Sequence, residues 1–180
     1  MKLEKVINDA YEKLKKNNIK SALLDSELLL SKALNKSREF IILNSKYNIN
    51  KKDYFYFQNL VNQRSYGKPV AYLTNKKFFW KYEFLINDKV LIPRPDTEVI
   101  IENVLSIFKK KNNISFLDIG FGSGCIMLSI LKERKDFKAT GVDISSNALK
   151  VCNINAYKLG VKNRARLFKS DIDKFSIGKY

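Results

Sequence analysis

The stretch Phe116-Leu117-Asp118-Ile119-Gly120-Phe121-Gly122-Ser123-Gly124 sets three glycines at alternate positions behind an acidic residue. Glycine takes positive φ freely and lets a ligand touch bare backbone, so this spacing suits a turn that cradles a small molecule. The apolar run Ile114 to Ile119 reads as a strand, and Ile126 to Leu131 as an apolar helical segment. The turn therefore joins the carboxyl end of a strand to a helix N-terminus, which favours a carboxylate or a phosphate. A second acid, Asp143, ends the next expected strand about 20 residues on, where a carboxylate can accept both hydroxyls of a ribose.

Two ligands compete for such a turn. The dinucleotide pattern G-x-G-x-x-G/A, counted from Gly120, puts its third position on Cys125 and so fails. Asp118, two residues before the first glycine, suits an ammonium group and not a pyrophosphate. Glycines and acids end strands in many α/β proteins, so neither alone decides. An ammonium site, a carboxylate site and a ribose site together describe S-adenosylmethionine, which is favoured over NAD. Cys125 reads as packing and not as a nucleophile, because reactivity needs a lowered thiol pKa.

Composition narrows the remaining chemistry. The 180 residues contain no histidine, which removes His-based triads, His general bases and His-ligated zinc. Two cysteines, Cys125 and Cys152, are too few for a disulfide scaffold or a metal cluster, and they point to a reducing compartment. No metal site is expected. The opening Met1-Lys2-Leu3-Glu4-Lys5 is charged where a signal peptide needs an apolar run, and no run of ~18 apolar residues exists to span a membrane. A cytoplasmic monomer without membrane contact is the expectation. Lys and Arg number 34 against 18 Asp and Glu, a formal net charge of +16. The basic residues are scattered pairs plus Lys109 to Lys111, so a solvated surface is preferred over a polyanion-binding one.

The elements that must hold the turn are legible in the apolar spacing. Leu3, Val6, Ile7, Ala10 and Leu14 form one helical stripe. Leu24, Leu28, Leu29 and Leu34 form a second, with Ser21 as its N-cap. A short helix fits Ser37 to Ile42, and Tyr54, Phe57, Leu60 and Val61 follow an Asn50 cap. The aromatic and β-branched stretch Tyr72 to Leu91 predicts a β-hairpin with its loop at Asn87-Asp88. A helix from Asp96 to about Phe108 presents Ile100, Ile101, Val104, Leu105 and Phe108. After the glycine turn come a strand at Lys138 to Val142, a helix from Asn147 to Leu159 capped by Gly160, and a strand at Arg166 to Phe168. The predicted fold is α/β: a helical bundle at 1–65, a hairpin linker at 66–95, and the first half of a doubly wound, Rossmann-like sheet at 96–180.

Beyond the glycine turn, Leu91-Ile92-Pro93-Arg94-Pro95-Asp96-Thr97-Glu98 resembles the most distinctive linker motif of the HemK/PrmC-type release factor glutamine methyltransferases. Arg64, Gly67, Pro69 to Tyr72 and the aromatics through Trp80 resemble that family's approach to the hairpin. Ser21 to Leu30 and Ser37 to Phe40 resemble its N-terminal helices. Asn155-Ala156 and Leu159-Gly160 follow Asp143 at about its spacing. The resemblance implies a helical substrate-recognition domain and a class I methyltransferase domain. It implies methyl transfer to the Gln amide nitrogen of the Gly-Gly-Gln loop of class-1 peptide chain release factors. By the same carry-over, Gly120, Phe121, Gly122, Ser123 and Gly124 line the methionine end, Asp143 binds the ribose, and Asp171 and Ile172 sit by the adenine; Asp118 joins the site as the acid expected to face the ammonium.

Three departures from the family pattern stand out. Asn75 replaces a usual glycine, which is tolerable because Asn visits left-handed conformations. Ile172 stands where an aromatic often stacks on adenine. The Asn-Pro-Pro-Tyr motif that grips the amide is absent, since Pro69, Pro93 and Pro95 are the only prolines and none follows an Asn. No catalytic residue is therefore assigned. The chain stops about where a fourth strand should begin, so the expectation is a fragment that is incompetent alone, with Ile114 to Ile119 left as an apolar edge. Other readings are methylation of a ribosomal-protein glutamine, methylation of adenine in nucleic acid, and cofactor binding without turnover. Nucleic acid is otherwise expected only indirectly, through the translation machinery.

Overall fold

Five apolar positions at helical spacing make the first helix, α1 (Leu3–Lys16), and all five (Leu3, Val6, Ile7, Ala10 and Leu14) are buried. The computed structural model describes residues 1–176 and places α1 in the first of two units, Met1–Thr74. Helices α2 (Ala22–Leu34), α3 (Arg38–Leu43), α4 (Lys51–Ser65) and α5 (Val70–Thr74) complete that unit around Leu29, Leu30, Ile41, Phe57 and Val61. The Asn50 side chain caps α4 by accepting from the Asp53 amide at 2.9 Å. Asn50→Ala is expected to lower stability by about 1 kcal/mol, read as a lower thermal midpoint with unchanged helical circular dichroism at 25 °C.

Helix α2 departs from expectation twice. Ser21 makes no side-chain cap bond. The buried face is Ala22, Asp25, Ser26, Leu29 and Leu30, while Leu24 is 42% exposed. The cause is polar: Asp25 is 2% exposed and accepts from Arg64 Nε of α4 at 2.6 Å. A buried carboxylate must meet its cation, and that requirement rotates α2 so that Leu23 and Leu24 face water.

The second unit starts at Asn75 with strands β1 (Lys76–Phe79) and β2 (Tyr82–Leu85), antiparallel with Phe79 opposite Tyr82. The hairpin turns at Trp80-Lys81 and not at Asn87-Asp88, and residues 70–74 are helical. Trp80 sits at φ +56, a rare state for a bulky residue. Two carboxylates hold it there. Glu98 accepts from the Trp80 amide at 2.8 Å, and Glu133 accepts from Trp80 Nε1 at 2.9 Å, from Tyr82 at 2.8 Å and from Lys81 at 3.1 Å. Burial pushes the Glu133 carboxyl up, but these three donors outweigh it and leave it below the usual range. Asn75 adopts φ +59, the left-handed state expected of it.

A short 3₁₀ turn at Pro95–Thr97 leads into α6 (Glu98–Ile107). Of the face expected here only Ile101 is buried, and Ile100 is exposed. This helix packs on α7 (Cys125–Glu133), which covers a single stripe. Strands β3 (Ser115–Ile119), β4 (Lys138–Asp143) and β5 (Ala165–Lys169) form a parallel sheet in the order β3-β4-β5. Helix α7 crosses from β3 to β4 and α8 (Ser146–Lys158) from β4 to β5, half of a doubly wound arrangement. Among the described residues β3 has one strand partner, β4. Within the first unit α5 packs with α2 and α4, and within the second the hairpin is bonded to α7 and α8. The last four residues of the expected 96–180 domain, 177–180, lie outside the described residues.

Candidate functional site

The β3–α7 turn is built from glycines with unequal duties. Gly120, Gly122 and Gly124 all have positive φ, at +74, +55 and +79. A Cβ on Gly120 would meet nothing within 4 Å, and one on Gly122 only the turn's own Gly120 carbonyl at 3.9 Å. A Cβ on Gly124 would stand 2.4 Å from Cys152 Sγ and 2.9 Å from Leu128 Cδ1. Gly120 and Gly122 thus offer open backbone, while Gly124 lets the turn lie against the packed interior. Its amide donates to the Phe121 carbonyl at 2.7 Å, which closes the turn.

Phe121 and Ser123 are 5% and 3% exposed. The Phe121 ring fills the space where Gly141 of β4 has no side chain, and the Ser123 hydroxyl interacts with Cys125. Both residues therefore face a ligand only through their main chain. Burial pushes the Cys125 thiol up to about 11, so it stays protonated, as packing requires.

The two acids flank the turn. Asp143, at the carboxyl end of β4, accepts from the Gly122 amide at 2.9 Å and from the Ser145 amide at 2.8 Å. One carboxylate thus fixes both the glycine turn and the start of α8, and its remaining lone pairs are free for hydroxyl donors. Asp118, on β3 in register with Gly141, is half-buried. Burial raises its pKa to about 6; the Met127 amide opposes this and the Asp143 charge adds to it. A carboxylate so placed gains most from an ammonium partner, which relieves its desolvation and its repulsion from Asp143.

Asp171 and Ile172 follow β5. The Ser170 amide donates to the Asp143 carbonyl at 3.1 Å, which brings this loop to the same sheet edge. Asp171 caps its own 3₁₀ turn, accepting from the Asp173 amide at 3.2 Å, and Ile172 is 39% exposed. Two residues that sequence reasoning missed share the edge. Ile144 is 71% exposed directly after Asp143, and Ile119 is 59% exposed directly after Asp118. The signal was an apolar residue beside each acid. Each of the three parallel strands is followed or ended by an exposed isoleucine next to an acid. Asn155 of α8, whose spacing from Asp143 gives no sign of its bonding, is 1% exposed and bonds to three main-chain groups.

Among the described residues no group of three or more Cys, Asp or Glu could hold a metal ion, and no helix is long and apolar enough to cross a membrane.

Residues 5–74 match a family model described as the PrmC N-terminal domain, and residues 110–178 match one described as a methyltransferase domain. A release factor glutamine methyltransferase of Leptospira interrogans is 40% identical over 171 residues, covering 93% of this chain and 59% of that protein. Its counterpart in Buchnera aphidicola subsp. Acyrthosiphon pisum is 37% identical over 91% of this chain and 58% of that protein. A protein of Rickettsia bellii named bifunctional methyltransferase is 31% identical over 94% of this chain and 35% of that protein. The chain spans less than two thirds of the length of these curated relatives.

Proposed function

We propose, from the premise that this chain is a relative of the HemK/PrmC-type release factor glutamine methyltransferases, that its residues hold S-adenosylmethionine for methylation of a glutamine side-chain amide. The substrate would be the Gln of the Gly-Gly-Gln loop of class-1 release factors, with the helical unit as its recognition domain. The carrying observation is the open backbone at Gly120 and Gly122 between two carboxylates, Asp118 and Asp143. The names of the relatives support the substrate class.

The donor supplies a methyl group on a positively charged sulfur, which a nucleophile takes while the sulfur departs as a neutral thioether. Around it, Asp118 would accept from the ammonium and Asp143 from the ribose hydroxyls. The backbone of Gly120, Phe121, Gly122, Ser123 and Gly124 would carry the amino-acid end. Ile144, Ile172 and Asp171 would border the adenine. These contacts fix the direction of the methyl group, which matters because a delocalised amide lone pair reacts only when aligned with the leaving sulfur. The 180 residues contain no Asn-Pro-Pro-Tyr to grip that amide.

Calorimetry with S-adenosylmethionine, and with NAD as the comparison, tests the reading. Donor binding with no NAD binding is expected, and Asp143→Asn should weaken it about tenfold by losing charged hydrogen bonds to the ribose. NAD binding more tightly than the sulfonium donor overturns it. A methyl-labelled donor and a release factor test the chemistry separately: these 180 residues are expected to bind the donor without transferring label. Robust transfer would show that the amide grip is supplied within them.

A further inference from the structure

Asn155 has every hydrogen-bonding group engaged. Its Oδ1 accepts from the Leu85 amide at 2.8 Å, and its Nδ2 donates to the Leu85 carbonyl at 3.0 Å and to the Ser123 carbonyl at 2.9 Å. The side-chain amide thus pairs with the last residue of β2 as a neighbouring strand would, and with the other hydrogen it grips the glycine turn. A primary amide carries two N–H donors and a carbonyl acceptor on one planar group, which is what these three bonds use. Ser123 is the residue between the two open glycines and the packed one. Its carbonyl, drawn inward to Asn155, sets which way the peptides of the turn face. In the same unit the hairpin has a second anchor, Glu133, which holds the opposite end of β2 at Tyr82. Asn155 thus bonds to both the hairpin backbone and the turn.

We infer that Asn155 is a positioning residue that couples the hairpin to the donor-binding turn, so that filling the turn with the donor's amino-acid end tightens the β2 terminus at Leu85. The inference rests on the donor reading above. It adds a route by which donor occupancy is felt in the segment just ahead of the Leu91 to Glu98 linker, by way of Asn155 of α8, which lies 32 residues from Ser123 in sequence. Three bonds on one buried side chain give a contiguous connection between turn and hairpin, along which a preference at one end is felt at the other.

Two measurements test it. In the wild-type chain, hydrogen exchange at the Leu85 amide is expected to slow on adding S-adenosylmethionine. It should change little on adding 5′-methylthioadenosine, which carries the adenosine but lacks the amino-acid end. In Asn155→Ala, calorimetry is expected to show S-adenosylmethionine weakened about tenfold or more while 5′-methylthioadenosine changes by less than about threefold. Phe137→Leu, a core substitution at the opposite end of the sheet, controls for lost stability and should leave the ratio of the two affinities unchanged. If Asn155→Ala does not fold, the wild-type exchange experiment still decides. Equal losses for the two ligands, the same split in Phe137→Leu, or a Leu85 amide indifferent to the sulfonium donor each overturn the coupling. Failure of the wild type to bind S-adenosylmethionine at all would instead strike the donor reading.

Discussion

Gly124→Ala is expected to destabilise the second unit severely, whereas Gly120→Ala should leave it folded and remove donor binding. At Gly124 two costs add. An alanine held at φ +79 loses about 1–2 kcal/mol to left-handed strain. Its methyl would also stand 2.4 Å from Cys152 Sγ and 2.9 Å from Leu128 Cδ1, and both residues are fully buried. Overpacking of that kind costs about 1–3 kcal/mol more. A thermal midpoint lowered by about 10 °C follows for a domain of this size. Adding Cys152→Ala removes the sulfur and should recover part of the loss, a coupling that a double-mutant cycle would read directly.

At Gly120 only the strain applies, because nothing lies within 4 Å of the added methyl. Stability falls by about 1–2 kcal/mol. That methyl, however, occupies the face on which the donor's amino-acid end would lie, so calorimetric affinity should drop more than about tenfold. The contrast is the test: a folded, non-binding Gly120→Ala beside an unstable Gly124→Ala. If Gly120→Ala binds S-adenosylmethionine as well as the parent, the cradle is not at Gly120.

What the sequence reveals and conceals follows the range of the interactions. The glycine turn, its two acids, the parallel strand–helix order and the Asn50 and Gly160 caps are local patterns, and the structure places them where local reasoning does. The rotation of α2 is not local. It is set by Asp25 meeting Arg64, 39 residues away, and apolar counting cannot see a buried ion pair. The hairpin turns at Trp80-Lys81 for a related reason. Asn87-Asp88 has favoured turn chemistry, but Trp80 is held at positive φ by Glu98 and Glu133, 18 and 53 residues away. Asn155 hides in the same manner, since its partners Leu85 and Ser123 lie 70 and 32 residues off. Within the site, spacing identified three glycines alike, and only packing separates the two open ones from the one wedged against Cys152.

Asp118 should show opposite signs for stability and for binding. Its folded pKa, about 6 against an ordinary 3.8, means that the native state holds this proton more tightly than the unfolded chain does. The contribution to stability is complete below pH 3.8 and is lost as the pH rises through 6. At pH 7 the unliganded protein therefore carries a half-buried charge that costs up to about 3 kcal/mol, and less after residual solvation. Asp118→Asn removes that charge and is expected to raise the thermal midpoint at pH 7 while changing it little at pH 3.5. Donor binding runs the other way, because an ammonium needs the ionised carboxylate. Affinity in the parent should fall about tenfold for each unit below pH 6. In Asp118→Asn it should be weaker by about 10- to 100-fold at pH 7 and flat across that range. A parent affinity independent of pH between 5 and 7, or an Asn variant that binds unimpaired, would remove Asp118 from the ammonium site. A more stable, non-binding variant would instead mark the strained carboxylate as retained for its ligand, since the fold alone is better off without it.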